Sequence, residues 1–245
     1  MNRVMNRVLG ALALVVVAAY APSVSAQQPN QKTFSSADEA VEALFLAARA
    51  GDEQGLSQVL GAGKEILSAG DDRQDEFDRQ RFVEKYREMH RLVPERDGTV
   101  LYVGAENWPF PVPLVSRNGV WSFDAQTGMR EVLLRRIGTN EWFAIDVCRG
   151  LGQLSQEGQL GKQDAASIVG NPVPFNGYYF RALPGSEGKG RSFVAYPAEY
   201  GSSGVMTFLV SHDGAVYERN LGPRTADVAK KITSDKPDTS WRAVQ

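Results

Sequence analysis

Apolar positions follow two rhythms along this chain, helical in its first half and strand-like toward its end. Val41, Leu44, Phe45 and Ala48 recur at the three- and four-residue spacing of one helical face. Ahead of them, Ser36-Ala37-Asp38-Glu39 is a capping box: the serine is placed to accept a backbone N–H and the glutamate to reach back. Gly51 closes this helix, and Asp52 caps a second one carrying Leu56, Val59 and Leu60 up to Gly61. Glycines 61, 63 and 70 mark loops. Asp71–Asp97 mixes both signs of charge around Phe82, Tyr86, Met89 and Val93, an apolar stripe that predicts a solvated helix. Asp75 with Arg79, and Glu84 with Arg87, are spaced to pair along its surface.

Asp97-Gly98 is a turn, and Thr99–Val103 reads as a strand. Trp108–Asp124, WPFPVPLVSRNGVWSFD, holds two apolar runs, Phe110–Val115 and Val120–Phe123, around Asn118-Gly119. That dipeptide favours a tight hairpin because both residues tolerate positive φ. Helices are expected over Met129–Ile137 and Asn140–Leu154, with Asn140 capping the second. Leu134, Ile137, Trp142, Ile145, Val147 and Cys148 are their expected core positions. Periodicity is then lost through Gly150–Asn176, rich in Gly, Gln, Ser and Pro. Strands follow at Tyr178–Leu183, Phe193–Tyr196, Val205–Val210 and Ala215–Arg219, with His212-Asp213-Gly214 as a hairpin turn. Thr225–Ile232 predicts a short helix, and Trp241 is placed to pin the tail. The expected fold class is α+β. Helices cover an antiparallel sheet in an N-terminal lobe (34–154). A linker-like connection (155–175) leads to a C-terminal lobe (176–245) of mainly antiparallel sheet with a short helix.

The first 26 residues change the picture of location. Arg3 and Arg7 precede the apolar run Val8–Ala19, which is short for a membrane span, and Val24-Ser25-Ala26 suits a signal peptidase. Cleavage after Ala26 would leave 219 residues, a periplasmic location and no stable membrane insertion. The formal charge is −2, and loss of Arg3 and Arg7 with no acid makes it −4. Such a balance gives no reason to expect nucleic acid as a partner. With a single cysteine no internal disulfide can form, so stability rests on apolar packing.

The catalytic and metal motifs that the chain suggests all fail on spacing or setting. Gly201-Ser202-Ser203-Gly204 lacks the glycines two residues either side of a serine that a nucleophile elbow needs. Cys148 with His90 would make a thiol–imidazole pair, but Cys148 lies on an apolar helical face where a thiol is inert packing. The chain has two histidines and no CxxC or HExxH, and the acids at 71, 72, 75 and 78 lack the pattern of a calcium loop. Gly185-Ser186-Glu187-Gly188-Lys189 is too short for a phosphate loop and reads as a turn. No cofactor and no metal are expected.

Two stretches remain as candidate binding sites. Trp108-Pro109-Phe110-Pro111-Val112-Pro113 cannot donate a regular ladder, so it is either an aromatic platform or a core-facing edge strand. Tyr196-Pro197-Ala198-Glu199-Tyr200-Gly201 is a polar, aromatic corner between strands, either a site or a glycine-assisted bend. The candidate residues are Trp108, Phe110, Tyr196, Glu199 and Tyr200, and the two stretches are expected to share a groove.

Three segments carry a family resemblance: FSSADEAVEALFLAARAGD from Phe34, NWPFPVPLV with WSFDAQTG and IGTNE, and AYPAEYGSSGVMTFLVSHDGAVYERNLGP. On these the chain resembles the bacterial exported family Domain of Unknown Function 2950, over about 34–148 and 178–221. Members of that family have a longer middle, with an acidic and aromatic stretch, where this chain is short. The resemblance implies export and brings no catalytic residues. The expected function is non-catalytic binding or assembly support, toward an envelope protein or a small ligand. The alternatives are a hydrolase using Glu199 or Ser202/Ser203 with His212, and a structural envelope component.

Overall fold

The computed structural model describes residues 30–63, 66, 72–160, 168–184 and 190–244. The expected leader through Ala26, the loop expected at Gly70, the turn expected at Gly185–Lys189 and residues 161–167 of the expected connection lie outside the described residues.

Two helices open the fold as their caps require. α1 (Ala37–Ala50) starts at Ser36, whose hydroxyl accepts from the Glu39 N–H at 3.1 Å, and ends at Gly51 with φ +66°. Glu39 reaches back to the backbone and hydroxyl of Ser35 rather than Ser36. α2 (Glu53–Leu60) is capped by Asp52, which accepts from Gly55 N–H at 2.8 Å. α3 (Asp72–Glu88) then carries Val83 and Tyr86 inward.

Here the sequence expectation is corrected. The charged helix stops at Glu88, and His90–Glu95 is a strand, β1, paired antiparallel with β2 (Gly98–Val103). Pro94 cannot extend a helix, but it sits on an edge strand opposite Thr99, where no ladder donor is required of it. Exposed pairs on α3 include Arg79–Glu76 and Lys85–Glu88, and Arg87 lies over the Phe45 ring at 5.7 Å.

β3 (Trp108–Pro109) pairs with the end of β2, and β4 (Leu114–Arg117) and β5 (Val120–Phe123) form the hairpin. Asn118 and Gly119 take φ +54° and +79°, as that two-residue turn demands. The sheet runs β1-β2-β4-β5, with β3 also on β2. Its inner face buries Leu101, Val103, Leu114 and Phe123 against Val41, Leu44, Val59 and Leu60 of the helices.

One helix replaces the two expected after Asp124. α4 runs unbroken from Ala125 to Gln156, its start capped by Asp124 on Thr127 N–H at 3.1 Å. Gly138 in its interior costs about 1 kcal/mol relative to alanine. Tertiary anchoring at both ends outweighs that cost. Ala125 joins the first core, whereas Ala144, Cys148 and Leu151 join Tyr178, Phe180, Phe193, Phe208 and Val210 of the second. Because the two halves are buried on different sides, Leu134 (57% exposed) and Trp142 (62%) are not core positions. Ile137 and Cys148 are.

The second sheet has the order β10-β9-β8-β7-β6, all antiparallel: β6 Tyr178–Ala182, β7 Phe193–Pro197, β8 Met206–Val210, β9 Val216–Asn220 and β10 Arg242–Ala243. α4 covers one face. The other packs Leu183, Val194 and Leu209 against Ile232 and Trp241, near the short α5 (Thr225–Ala229). The fold class is therefore α+β, with helices on an antiparallel sheet followed by a mostly β region. Among the described residues no helix is long and apolar enough to cross a membrane.

Burial of ionisable groups, Cys148 and Tyr178 foremost, makes this fold sensitive to alkali. Burial raises the Cys148 thiol from its ordinary 9.0. Burial, then the charge of Glu141, likewise raises the Tyr178 phenol from 10.0. Each folded-state pKa lies above the unfolded one, so their stabilisation is complete below pH 9 and falls as pH rises. Urea midpoints should drop from about pH 9 upward, and Cys148→Ala should move the onset toward 10. Identical pH profiles for the two proteins would refute this.

Candidate functional site

The two candidate stretches meet α4 within one turn. Arg135 donates to the Pro109 carbonyl at 2.8 Å and to Glu131 at 2.7 Å, and its guanidinium lies 5.3 Å from the Trp108 ring centre. Arg136 points about 100° away around the helix and reaches the Ser202 hydroxyl at 3.5 Å. Asn140, expected as a cap, instead donates to the Ser203 carbonyl at 2.9 Å. α4 is thus the element that connects the Trp108 segment to the Tyr196–Ser203 corner.

The candidate side chains have different settings. Trp108 is 43% exposed and meets Phe110 edge-on at 6.3 Å. Phe110 turns inward between Phe82 and Phe123, with ring centres at 5.6 and 6.2 Å. Tyr196 is buried, its ring 5.6 Å from Tyr179, and burial raises its phenol. Glu199 is exposed, and its hydrogen bonds run through its backbone: its N–H donates to the Ser203 hydroxyl at 2.9 Å. Tyr200 is half-buried and bridges to Gly204. Trp108, Glu199 and Tyr200 therefore keep exposed surface, Phe110 packs beneath Trp108, and Tyr196 stands with Tyr179 on the sheet face turned away from α4, so the structure does not bring it to the Trp108 segment.

Ser202 and Ser203 do not meet His212. They stand before β8 and His212 follows it, so the length of that five-residue strand, about 3.3 Å per residue, separates them from His212. His212 faces Asp235 at 3.0 Å instead.

Glu141 is the residue that the sequence did not single out. Its carboxylate accepts from the backbone N–H of Val205 at 2.8 Å and of Met206 at 2.9 Å. The Tyr178 hydroxyl beside it donates to the Met206 carbonyl at 2.9 Å. This polar cluster clamps the corner onto α4. Nothing in the local pattern around Glu141 announces it, since the partners lie more than sixty residues away. Arg135 and Arg136 were missed because their partners Pro109 and Ser202 lie 26 and 66 residues away.

No curated protein and no solved structure matches the chain. A family model described as protein of unknown function (DUF2950) matches residues 31–169 and 151–244, all but the first 30 residues and the last. The chain therefore belongs to the DUF2950 family.

Proposed function

We propose that this is a periplasmic, non-catalytic binding or assembly-support protein, exported by the leader and released after Ala26. Its partner site is the waist where α4 passes between Trp108–Pro113 and the corner Tyr196–Ser203. The supporting observation is that neighbouring residues Arg135 and Arg136 reach one stretch each, while Trp108 and Tyr200 in those stretches keep exposed surface. Exposed tryptophan, tyrosine and arginine on a rigid support are the residue types that dominate binding energy at interfaces. The Ser202/Ser203–His212 hydrolase gains no support from this geometry.

The test uses protein purified from the periplasm as bait in a periplasmic extract. Its intact mass is expected to match a chain beginning at Gln27, and a retained leader would overturn export and release. Trp108→Ala and Tyr200→Ala should each reduce capture of the co-purifying partner by about tenfold, as residues at the centre of an interface do. Melting temperature should stay within a few degrees of the parent. Capture unaffected by either substitution overturns the waist as the site. Specific capture of nothing favours a purely structural role.

A further inference from the structure

We infer that the cavity beside α5 is a binding site for a phosphate group carried on a hydroxyl-bearing small molecule or lipid headgroup. The site is separate from the waist and does not rest on the reading given for it. An open cavity of about 380 Å³ is lined by Arg224, Asp227, Val228, Lys230 and Lys231. Pockets of that order of size hold small molecules. All five lining residues are exposed. Three cations stand against one acid, an excess of two positive charges in the cavity wall.

That excess is not spent on the protein itself. Among the described residues, the side chains of Arg224, Lys230 and Lys231 make no ion pair or hydrogen bond. The acids that follow in the chain are engaged elsewhere: Asp235 faces His212 at 3.0 Å, and Asp238 lies 3.8 Å from Arg219. Lysines at the end of a helix commonly serve its last carbonyls. Here Arg181 does so instead, donating to the Ala229 and Ile232 carbonyls at 2.8 Å each. Arg181 is the register partner of Val194 on the sheet face turned away from α4. It therefore serves this segment from its inner side, and Lys230 and Lys231 stand exposed on the outer one.

The lining selects the ligand. A guanidinium fork matches two phosphate oxygens, and the two ammonium groups add the point charges that a phosphate dianion needs. Asp227 opposes a bare polyanion but accepts a hydrogen bond from a hydroxyl placed next to the phosphate. Val228, 39% exposed, leaves one side of the cavity apolar. A phosphorylated polyol in solution and the glycerophosphate headgroup of a lipid share this chemistry.

The soluble probe is glycerol phosphate, titrated by calorimetry into protein purified from the periplasm, with glycerol as its uncharged counterpart. The lipid probe is a vesicle of equal parts phosphatidylcholine and phosphatidylglycerol, read by co-sedimentation against phosphatidylcholine alone. Glycerol phosphate should bind at about 50 mM salt and be largely released at about 500 mM, where screening is strong. Glycerol should not bind. Arg224→Gln, Lys230→Gln and Lys231→Gln should each weaken glycerol phosphate about tenfold, the loss of one charge-assisted contact. The three positions are exposed, so melting temperature should stay that of the parent. Asp227→Ala should weaken glycerol phosphate while inorganic phosphate binds as before or more tightly. Arg49→Gln, which removes one charge from α1, should bind as the parent does. Co-sedimentation that a Lys230→Gln, Lys231→Gln double variant loses supports the site with lipid as the source. Glycerol phosphate binding without co-sedimentation supports it with a free solute as the source. Binding of neither probe, or an equal loss in Arg49→Gln, overturns the site. Tightening of both phosphates alike by Asp227→Ala overturns the hydroxyl-bearing part of the assignment.

Discussion

Glu141→Ala is expected to destabilise the protein by about 3 kcal/mol, the cost of leaving two backbone donors without a charged acceptor. The carboxylate receives the N–H groups of Val205 and Met206 where β8 begins, and the buried Tyr178 hydroxyl lies beside it. Alanine is slightly the better helix former, so any loss must come from this tertiary clamp rather than from α4 itself. Glu141→Gln keeps an acceptor oxygen and should cost about 1 kcal/mol, the difference between a charged and a neutral acceptor. In a chain of this length 3 kcal/mol corresponds to roughly 10 °C in melting temperature. Urea titrations of the three proteins give the comparison. A loss below about 1 kcal/mol for alanine, or equal losses for alanine and glutamine, would show that the clamp is not a charge-assisted one. Because the clamp seats the corner on the helix, Glu141→Ala should also reduce partner capture, whereas Tyr200→Ala reduces capture without the stability loss.

The second large effect comes from a substitution that ordinarily helps. Gly204 does not have positive φ, so alanine is allowed by the backbone and would by itself add about 0.4–1 kcal/mol by stiffening the unfolded chain. A Cβ there would stand 2.2 Å from the Tyr178 hydroxyl oxygen and 2.6 Å from two of its ring carbons. Tyr178 is fully buried, tied to the Met206 carbonyl and packed 5.8 Å from the Phe208 ring, so it has nowhere to retreat. Gly204→Ala should therefore destabilise by about 3 kcal/mol through overpacking. Gly138→Ala is the matched comparison, because a Cβ at that site meets nothing within 4 Å. It should stabilise α4 by about 1 kcal/mol, the helix-propensity difference. If the two variants shift the urea midpoint in the same direction, the close approach of Gly204 to Tyr178 is wrong.

What the residues declared locally was read correctly where local chemistry is decisive. The Ser36 and Asp52 caps, the Asn118-Gly119 turn, the strands after Tyr178 and the burial of Cys148 all depend on contacts within a few positions or on an apolar period. The errors share one cause. At His90–Glu95 the preceding helical stripe suggested more helix, yet the strand exists because six residues of β2 pair with it. At Gly138-Thr139 the glycine suggested a break, yet the helix continues because its ends are held by two different sheets. That division also turned Leu134 and Trp142 outward, since a face that is inner in one half of α4 is outer in the other.

The candidate site divides the same way. Trp108, Glu199 and Tyr200 could be picked from the sequence because aromatics, prolines and a corner glycine are visible one by one. Arg135, Arg136 and Glu141, which join those stretches, carry no local signature of that role, and the one Asn140 carries pointed to a helix cap. Their partners lie some 25 to 65 residues away, so only the folded arrangement selects them. Sequence alone determined most of the elements, the caps at Ser36 and Asp52, the Asn118-Gly119 turn, and the family, because propensity, period and motif act over short separations. Tertiary structure decided where α4 is continuous, which face of it is dry, and which polar groups clamp the waist, because those depend on pairing energies between residues far apart in the chain.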